Sequence, residues 1–423
     1  MNRFASTCAL LVLTLHTPFL KAQSATSNSR QVGPWDMAEL KKSPAFHWEQ
    51  QKGPIHSLLY KGEPYKGHET EVFAFYASPA TLGLGKPGQK YPGVVLIHGG
   101  GGTAFAEWVW LWAQRGYAVI AMDLAGHRPI DPIFDDKGVP VFNQTGKPET
   151  RKRLPNGGPD QGHGEKFDTI GGETSDDWPY HAVANVVRAH SLLRSFQEVD
   201  ADRTSVTGIS WGGYTTCLVA SVDDRFKAAV PVYGCGFLHE GESVQKPAID
   251  QLKERRADWV REYDPSSWLG RCRVPILFVN GTNDVHYPMD SYQKSFNLVP
   301  APKQMRMLVN MPHGHHAGWQ PEEIGLFIDS YCNSGKPLPL VGELNETGGK
   351  VRLTVKTEVP LKSAALHYTI DTGLRSARKW TSVPARIGDG EITADAPPAG
   401  ANTWFITVTD ERGAMVSSPI QFR

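Results

Sequence analysis

Gly208-Ile209-Ser210-Trp211-Gly212-Gly213 stands between two segments of opposite character. Thr204-Ser205-Val206-Thr207-Gly208-Ile209 has the β-branched, apolar make-up of a short buried strand, and Tyr214-Thr215-Thr216-Cys217-Leu218-Val219-Ala220 that of a helix start. A Gly-x-Ser-x-Gly at such a junction builds a sharp strand-to-helix turn. The serine takes a strained backbone, glycines two before and two after it keep neighbouring chain from colliding, and the hydroxyl points out of the sheet edge. Alone the motif is a common glycine turn; with these flanks it makes Ser210 the candidate nucleophile.

An acid and a histidine follow it in chain order. Val274-Pro275-Ile276-Leu277-Phe278-Val279-Asn280 reads as a buried strand running into Gly281-Thr282-Asn283-Asp284, which puts Asp284 at a strand's C-terminal end, where open parallel sheets place their ligands. Gln304-Met305-Arg306-Met307-Leu308-Val309-Asn310 is a further strand, followed by Met311-Pro312-His313-Gly314-His315-His316-Ala317-Gly318-Trp319. Serine needs a neutral imidazole to take its proton, and a carboxylate on the far ring nitrogen to fix the tautomer and stabilise the imidazolium. Three histidines, His313, His315 and His316, compete for the role. No carboxylate or cysteine at ligand spacing accompanies them, so no metal or cofactor is expected.

Upstream, Val94-Val95-Leu96-Ile97-His98-Gly99-Gly100-Gly101-Gly102 is a strand entering a glycine loop of the HGGG type found in lipases and esterases. Backbone N–H groups of Gly100 and Gly101, with that of Trp211, are the candidate oxyanion donors. A phosphate cradle would need G-x-x-x-x-G-K and the following hydroxyl residue, which are absent here.

The 423 residues are ample for two or three domains, and 44 basic residues balance 44 acidic ones, so no basic stripe points to nucleic acid. Met1-Asn2-Arg3 and the apolar run to Leu15 form a secretory signal too short to span a membrane, with cleavage expected after Ala22 and a secreted or periplasmic address. No other apolar stretch reaches spanning length. Five cysteines, one of them Cys8 in the signal, make no disulfide scaffold.

Between about residues 70 and 335 strands and helices alternate, which predicts an α/β domain over 23–337: a mainly parallel sheet with helices on both faces. Val183, Val186, Val187, His190, Leu193 and Phe196 place a helix at 179–198, and 199–203 is read as a turn into the elbow strand. Residues 125–178 break the rhythm after a strand's C-terminal end and are expected to shape the substrate site. Asp123 is expected to end its strand. Past Lys336-Pro337-Leu338-Pro339, short alternating strands from Val351 to Phe422 predict an immunoglobulin-like β-sandwich over 338–423.

With His98-Gly99-Gly100-Gly101, the GISWGG elbow, the Gly-Thr-Asn-Asp loop and the Pro-His-Gly-His loop in order, the chain resembles an α/β-hydrolase. More narrowly it is similar to secreted bacterial proteins grouped with acetylxylan esterases, dienelactone-hydrolase-like proteins and the prolyl-oligopeptidase clan. Related enzymes commonly carry Gly-His at the histidine loop, so the resemblance implies His315 as the base. Dienelactone hydrolases proper use cysteine where this chain has Ser210, glucuronoyl esterases follow the serine with arginine, and the stretch before the core is too short for a prolyl-oligopeptidase propeller. The implied function is a secreted serine carboxylic ester hydrolase acting on acylated carbohydrate, acetyl esters first. Twelve tryptophans suit a sugar-binding wall. A serine peptidase is the rival activity, and a non-catalytic binding protein with a vestigial core the alternative class.

Overall fold

The computed structural model describes residues 31–86, 88–141 and 150–423. The expected signal, 1–22, and part of the expected substrate-shaping loop, 142–149, lie outside the described residues. Among those described, no helix is long and apolar enough to cross a membrane.

The core sheet takes its strands in chain order from Phe46–Gln50 (β1), His56–Lys61 (β2), Glu71–Ala77 (β3), Tyr91–Ile97 (β4), Ala118–Met122 (β5), Val199–Ile209 (β6), Ala228–Val232 (β7), Ile276–Gly281 (β8) and Lys303–Leu308 (β9). Their spatial order is β1-β2-β3-β5-β4-β6-β7-β8-β9. The first three are an antiparallel meander joined antiparallel to β5, and from β5 to β9 every pairing is parallel. All residues of β4, β5, β7 and β8 are buried, as central parallel strands covered on both faces require, which is why they read as unbroken apolar runs. The 199–203 stretch is not a turn but the start of β6: Val199 and Asp200 pair with Tyr91 and Pro92, and the register jumps between Asp200 and Thr204. A bulge with polar residues looks like a turn in sequence because the alternation lapses there.

Helices Ala106–Gln114 (α1), Trp178–Ser195 (α2), Trp211–Val222 (α3) and Met289–Leu298 (α4) lie between successive strands of the parallel run, and His315–Trp319 (α5) and Glu322–Cys332 (α6) follow β9. α2 and α3 pack together against β6, whereas α6 approaches β6 and β7 and is tied to the end of α1 by Arg115, whose guanidinium donates to Asp329 at 2.8 Å. Tyr117 donates to the other oxygen of that carboxylate at 2.7 Å.

Beyond Leu338 the regular structure is strand apart from a 3-10 turn at Arg375–Ala377. Leu361–Thr369 (β11), Thr381–Pro384 (β12), Thr403–Asp410 (β14) and Met415–Ser417 (β15) form one antiparallel layer, and Lys350–Lys356 (β10) with Glu391–Asp395 (β13) centres the other. β10 alternates strictly, with Val351, Leu353 and Val355 turned inward. The first layer does not stop at the boundary: β15 pairs antiparallel with β9 through Met305 and Ser417, so the core sheet and the C-terminal layer are hydrogen-bonded into one. The Ser417 hydroxyl also accepts from the Met307 N–H at 2.8 Å, and Glu323 on α6 accepts from Met415 N–H at 2.8 Å. β15 escaped the sequence reading because it is three residues long and followed by Ser418-Pro419, a turn signal. Trp404 is buried within this module, and Trp380 packs edge-on against Phe405.

Candidate active site

β6 ends at Ile209 and α3 begins at Trp211, so Ser210 alone makes the turn, at φ 59° and ψ −117°. A side chain in that region is strained, and flanking hydrogen bonds hold it: Ser210 N–H donates to Val232 O at 2.9 Å, and Ser210 O accepts from Tyr214 N–H at 2.9 Å. The two glycines of the motif are steric necessities. A Cβ on Gly208 would run into Gly212 O, and one on Gly212 into Ile97 O, both far inside 3.0 Å.

Asp284 follows β8 and is almost fully buried. One carboxylate oxygen accepts from the N–H groups of His286 and Tyr287 at 2.8 and 3.0 Å, and the other accepts from His313 Nδ1 at 2.8 Å. The opposite nitrogen, His313 Nε2, accepts from the Ser210 hydroxyl at 3.0 Å. Rings confine the imidazole: Tyr233 at 4.4 Å between centroids, His286 at 4.5 Å, and Tyr287 parallel to it at 6.2 Å. Ser210 and His313 keep partial access to solvent, so the relay is open to a substrate.

The histidine in that relay is His313, which corrects the expectation of His315. His313 lies in the loop ahead of α5, free to turn toward Asp284. His315 is the first residue of α5, and its position carries the ring to the other side, where Nε2 accepts from Gly99 N–H at 2.9 Å and the ring lies 4.7 Å from Phe105. Burial, reinforced by His98 and His313, pushes the His315 imidazole down to about 3. His316 points outward, beside Gln320.

The glycine loop after β4 lies directly on the elbow. A Cβ on Gly99 would sit 3.0 Å from Ser210 Cβ, and one on Gly100 the same distance from Trp211 Cδ1. Gly101, at φ 70°, makes the turn, with open space around it. Trp211 opens α3, where an N–H has no partner in its own helix and the dipole favours negative charge. Gly100 and Trp211 are thus the candidate donors that flank the candidate nucleophile, and Gly101 is the turn beside them. Asp123 ends its strand as expected and braces this end of the sheet, accepting from Thr103 Oγ at 2.7 Å and from Ala125 and His127 N–H.

Sequence reasoning assigned the aperiodic segment to the site, with 162–167 as one of its polar clusters, but not the contacts its cations make. Lys166 is buried, its ammonium 5.3 Å from the Trp211 ring and donating to the carbonyls of Gln161 and Gly162. Burial pulls its pKa down to about 8. Phe167 and Trp178 meet the same indole edge-on. Arg151 donates to Gly102 O at 2.6 Å. No periodicity or motif marks these residues, because a loop has no repeating face to read.

A second relay of the same connectivity exists: Thr204 Oγ to His190 Nε2 and His190 Nδ1 to Asp223, each at 2.8 Å. All three residues are buried, and the His190 ring stacks on Phe226, so this one is a brace inside the core with no path for substrate. Cys217, Cys235, Cys272 and Cys332 are buried free thiols. Among the described residues no three histidine, cysteine or carboxylate side chains cluster as metal ligands.

The prolyl oligopeptidase family model matches residues 154–325, a span that contains the elbow, Asp284 and His313. An uncharacterized peptidase, YuxL, of Bacillus subtilis (strain 168) is 23% identical over 248 residues, covering 53% of this chain. The match spans 31% of that protein's length, about a third. Among solved structures, an acetyl xylan esterase from Paenibacillus sp. R4 superposes with a TM-score of 0.52 at 21% identity, over 70% of this chain and 92% of that one. Acetyl xylan esterase 1 from Thermoanaerobacterium sp. JW/SL YS485 gives 0.50 at 16%, over 68% and 89%. The fold is that of an α/β-hydrolase.

Proposed function

We propose that this α/β-hydrolase, a serine hydrolase, is a carboxylic ester hydrolase exported from the cell that removes acetyl groups from carbohydrate. The observation that carries the reading is the solvent-reached relay Ser210–His313–Asp284 beside a glycine loop. His313 takes the Ser210 proton as Oγ attacks the ester carbonyl, and Asp284 holds the imidazole in the Nδ1–H form and balances its charge. The oxyanion that develops lies between the Gly100 and Trp211 N–H groups. His313 then returns the proton to the leaving alcohol, and a water deprotonated by the same ring hydrolyses the acyl-enzyme.

Two features favour an ester of a sugar over a peptide. Two solved structures that this chain covers over 92% and 89% of their own length are described as acetyl xylan esterases. The ceiling over the elbow is built from the chain's own 150–178 segment, with Lys166, Phe167 and Trp178 closing on Trp211. A serine peptidase remains the second reading, supported by the family model and by the peptidase relative. A binding protein with an idle core is disfavoured by the assembled relay. The C-terminal strands are read as an immunoglobulin-like module that packs on the core and is not a sugar-binding platform, in keeping with the burial of Trp404 and the packing of Trp380.

One purified sample assayed on acetylated xylo-oligosaccharide, 4-nitrophenyl acetate and a chromogenic peptide decides the matter. Release of acetate with an inert peptide is expected; peptide cleavage faster than deacetylation would reverse the assignment. EDTA should leave the rate unchanged, since no step calls on a metal.

A further inference from the structure

His315 and His98 sit at the active site without a part in the relay, and both are bonded to one glycine. His315 Nε2 accepts from Gly99 N–H at 2.9 Å. His98 Nδ1 lies 2.8 Å from Gly99 O, while its Nε2 accepts from Leu124 N–H at 2.8 Å. A ring that accepts at Nε2 carries its proton on Nδ1, so His98 donates to Gly99 O from the nitrogen that has the hydrogen. The two bonds fall on consecutive peptide planes. His315 fixes the plane joining His98 to Gly99, and His98 fixes the plane joining Gly99 to Gly100. In a trans peptide N–H and C=O point in opposite directions, so anchoring Gly99 O fixes where the Gly100 N–H points. Gly102 N–H adds a 3.1 Å bond to the same oxygen, and Arg151 holds Gly102 O from outside.

We propose that His98 and His315 form a clamp of two neutral imidazoles on Gly99 that aims the Gly100 N–H at the oxyanion, making both of them positioning residues for the reaction at Ser210. The proposal rests on reading Ser210 as the nucleophile. Glycine is the residue that needs such a clamp, because without a Cβ its backbone has the widest choice of conformations and four in a row would leave the donor unaimed. Preorganised donors stabilise a developing charge only if they do not have to reorient when it appears.

The clamp works only while both rings are neutral, since a proton on either Nε2 would set N–H against N–H. The charged and titratable groups around His315 are His98, His313 and Arg151, and those around His98 are Asp123, Arg151 and His315. Burial is the largest influence on each ring and favours the neutral form, and Arg151 adds to it. Asp123 opposes it at His98 but is already engaged with Thr103 and two backbone N–H groups.

The test compares His315→Gln, whose amide oxygen reaches the place of Nε2, with His315→Phe and His315→Leu, which present no acceptor. Two readouts are taken: kcat and KM on 4-nitrophenyl acetate, and the rate at which a fluorophosphonate labels Ser210. Removing the acceptor should lower kcat and the labelling rate on the order of 100-fold at nearly unchanged KM, while His315→Gln stays within about tenfold of the parent. Wild-type kcat and labelling in either folded apolar variant would overturn the clamp. The unaltered protein supplies an independent check by nitrogen NMR: His315 should remain the neutral Nδ1–H tautomer down to about pH 5, and an Nε2–H tautomer or titration above that pH refutes the proposal. A parent protein that takes the label at Ser210 but hydrolyses no ester removes the esterase reading and leaves the clamp standing.

Discussion

Ser210 Oγ and His313 Nε2 meet at 3.0 Å although 103 residues separate them in the chain. The candidate nucleophile comes from the β6–α3 turn and the candidate base from the loop after β9, so the sheet is what brings them together. Ser210→Ala and His313→Ala should each lower ester turnover by at least about 10⁴-fold, because members of a relay act as a unit, with Asp284→Ala somewhat milder. Steady-state rates on 4-nitrophenyl acetate test this. If His313→Ala retains most of the parental rate while His315→Ala falls to the level of Ser210→Ala, the base has been misassigned.

Gly212→Ala should destroy the elbow without touching a reacting atom. The new methyl group would meet the carbonyls of Ile97 and His98, which belong to β4 and the glycine loop and cannot swing aside as a side chain would. A cost on the order of 3 kcal/mol is expected, with loss of Ser210 labelling. Thermal unfolding and fluorophosphonate labelling read the two effects, and an alanine variant as stable and as reactive as the parent would contradict the packing argument.

Acid should weaken the fold through its buried histidines before it titrates the carboxylates. Burial pushes His181 and His190 down to about 4 and His315 to about 3, and lowers His98 as well. In the unfolded chain an imidazole takes its proton near 6.5, so below that pH the unfolded state binds protons that the folded state refuses. Stability is therefore complete above about pH 6.5 and declines as pH falls toward the folded values, each such histidine adding up to about 1.4 kcal/mol per pH unit. Urea unfolding at about pH 7, 6 and 5 measures it, and His190→Gln should flatten part of the slope. A midpoint constant across that range would show that these rings take up protons as readily in the folded protein as in the unfolded chain.

The Ser417 hydroxyl satisfies the Met307 N–H at the seam between the two parts of the sheet. Ser417→Ala leaves that buried donor without its partner and should cost about 1–3 kcal/mol, whereas activity per folded molecule stays at the parental level. Deleting 338–423 should expose the whole edge of β9 and lead to aggregation. Light scattering and rates on a soluble ester check both variants; a truncated protein that stays monomeric with an unchanged melting temperature would mean that the seam contributes nothing.

What the sequence made legible follows physical periodicity. The strand runs around Val94, Val206 and Ile276, the elbow glycines and Asp284 were readable because burial on both faces and steric crowding leave few residue types able to serve. The choice among His313, His315 and His316 was not, since it turns on where α5 starts relative to the loop, and one helical residue is enough to send a ring to the opposite side. Lys166 and Arg151 were invisible for a related reason: their roles come from carbonyls of Gln161, Gly162 and Gly102, and main-chain acceptors leave no mark on side-chain pattern. The 199–203 stretch shows a third limit, a strand whose register slips under residues suited to a turn.

The pairing of Met305 with Ser417 also fixes an order of events in synthesis. β9 is complete once residue 308 has emerged, yet the strand that covers its free edge lies at 415–417, with 110 positions between the partners of the Met307–Ser417 bond. A nascent chain that has already made Ser210, Asp284 and His313 thus carries an unpaired strand edge until that later strand emerges, and closing it is a long-range contact of the slow kind. The residues that stop one copy from pairing with the next are made well after those of the candidate site.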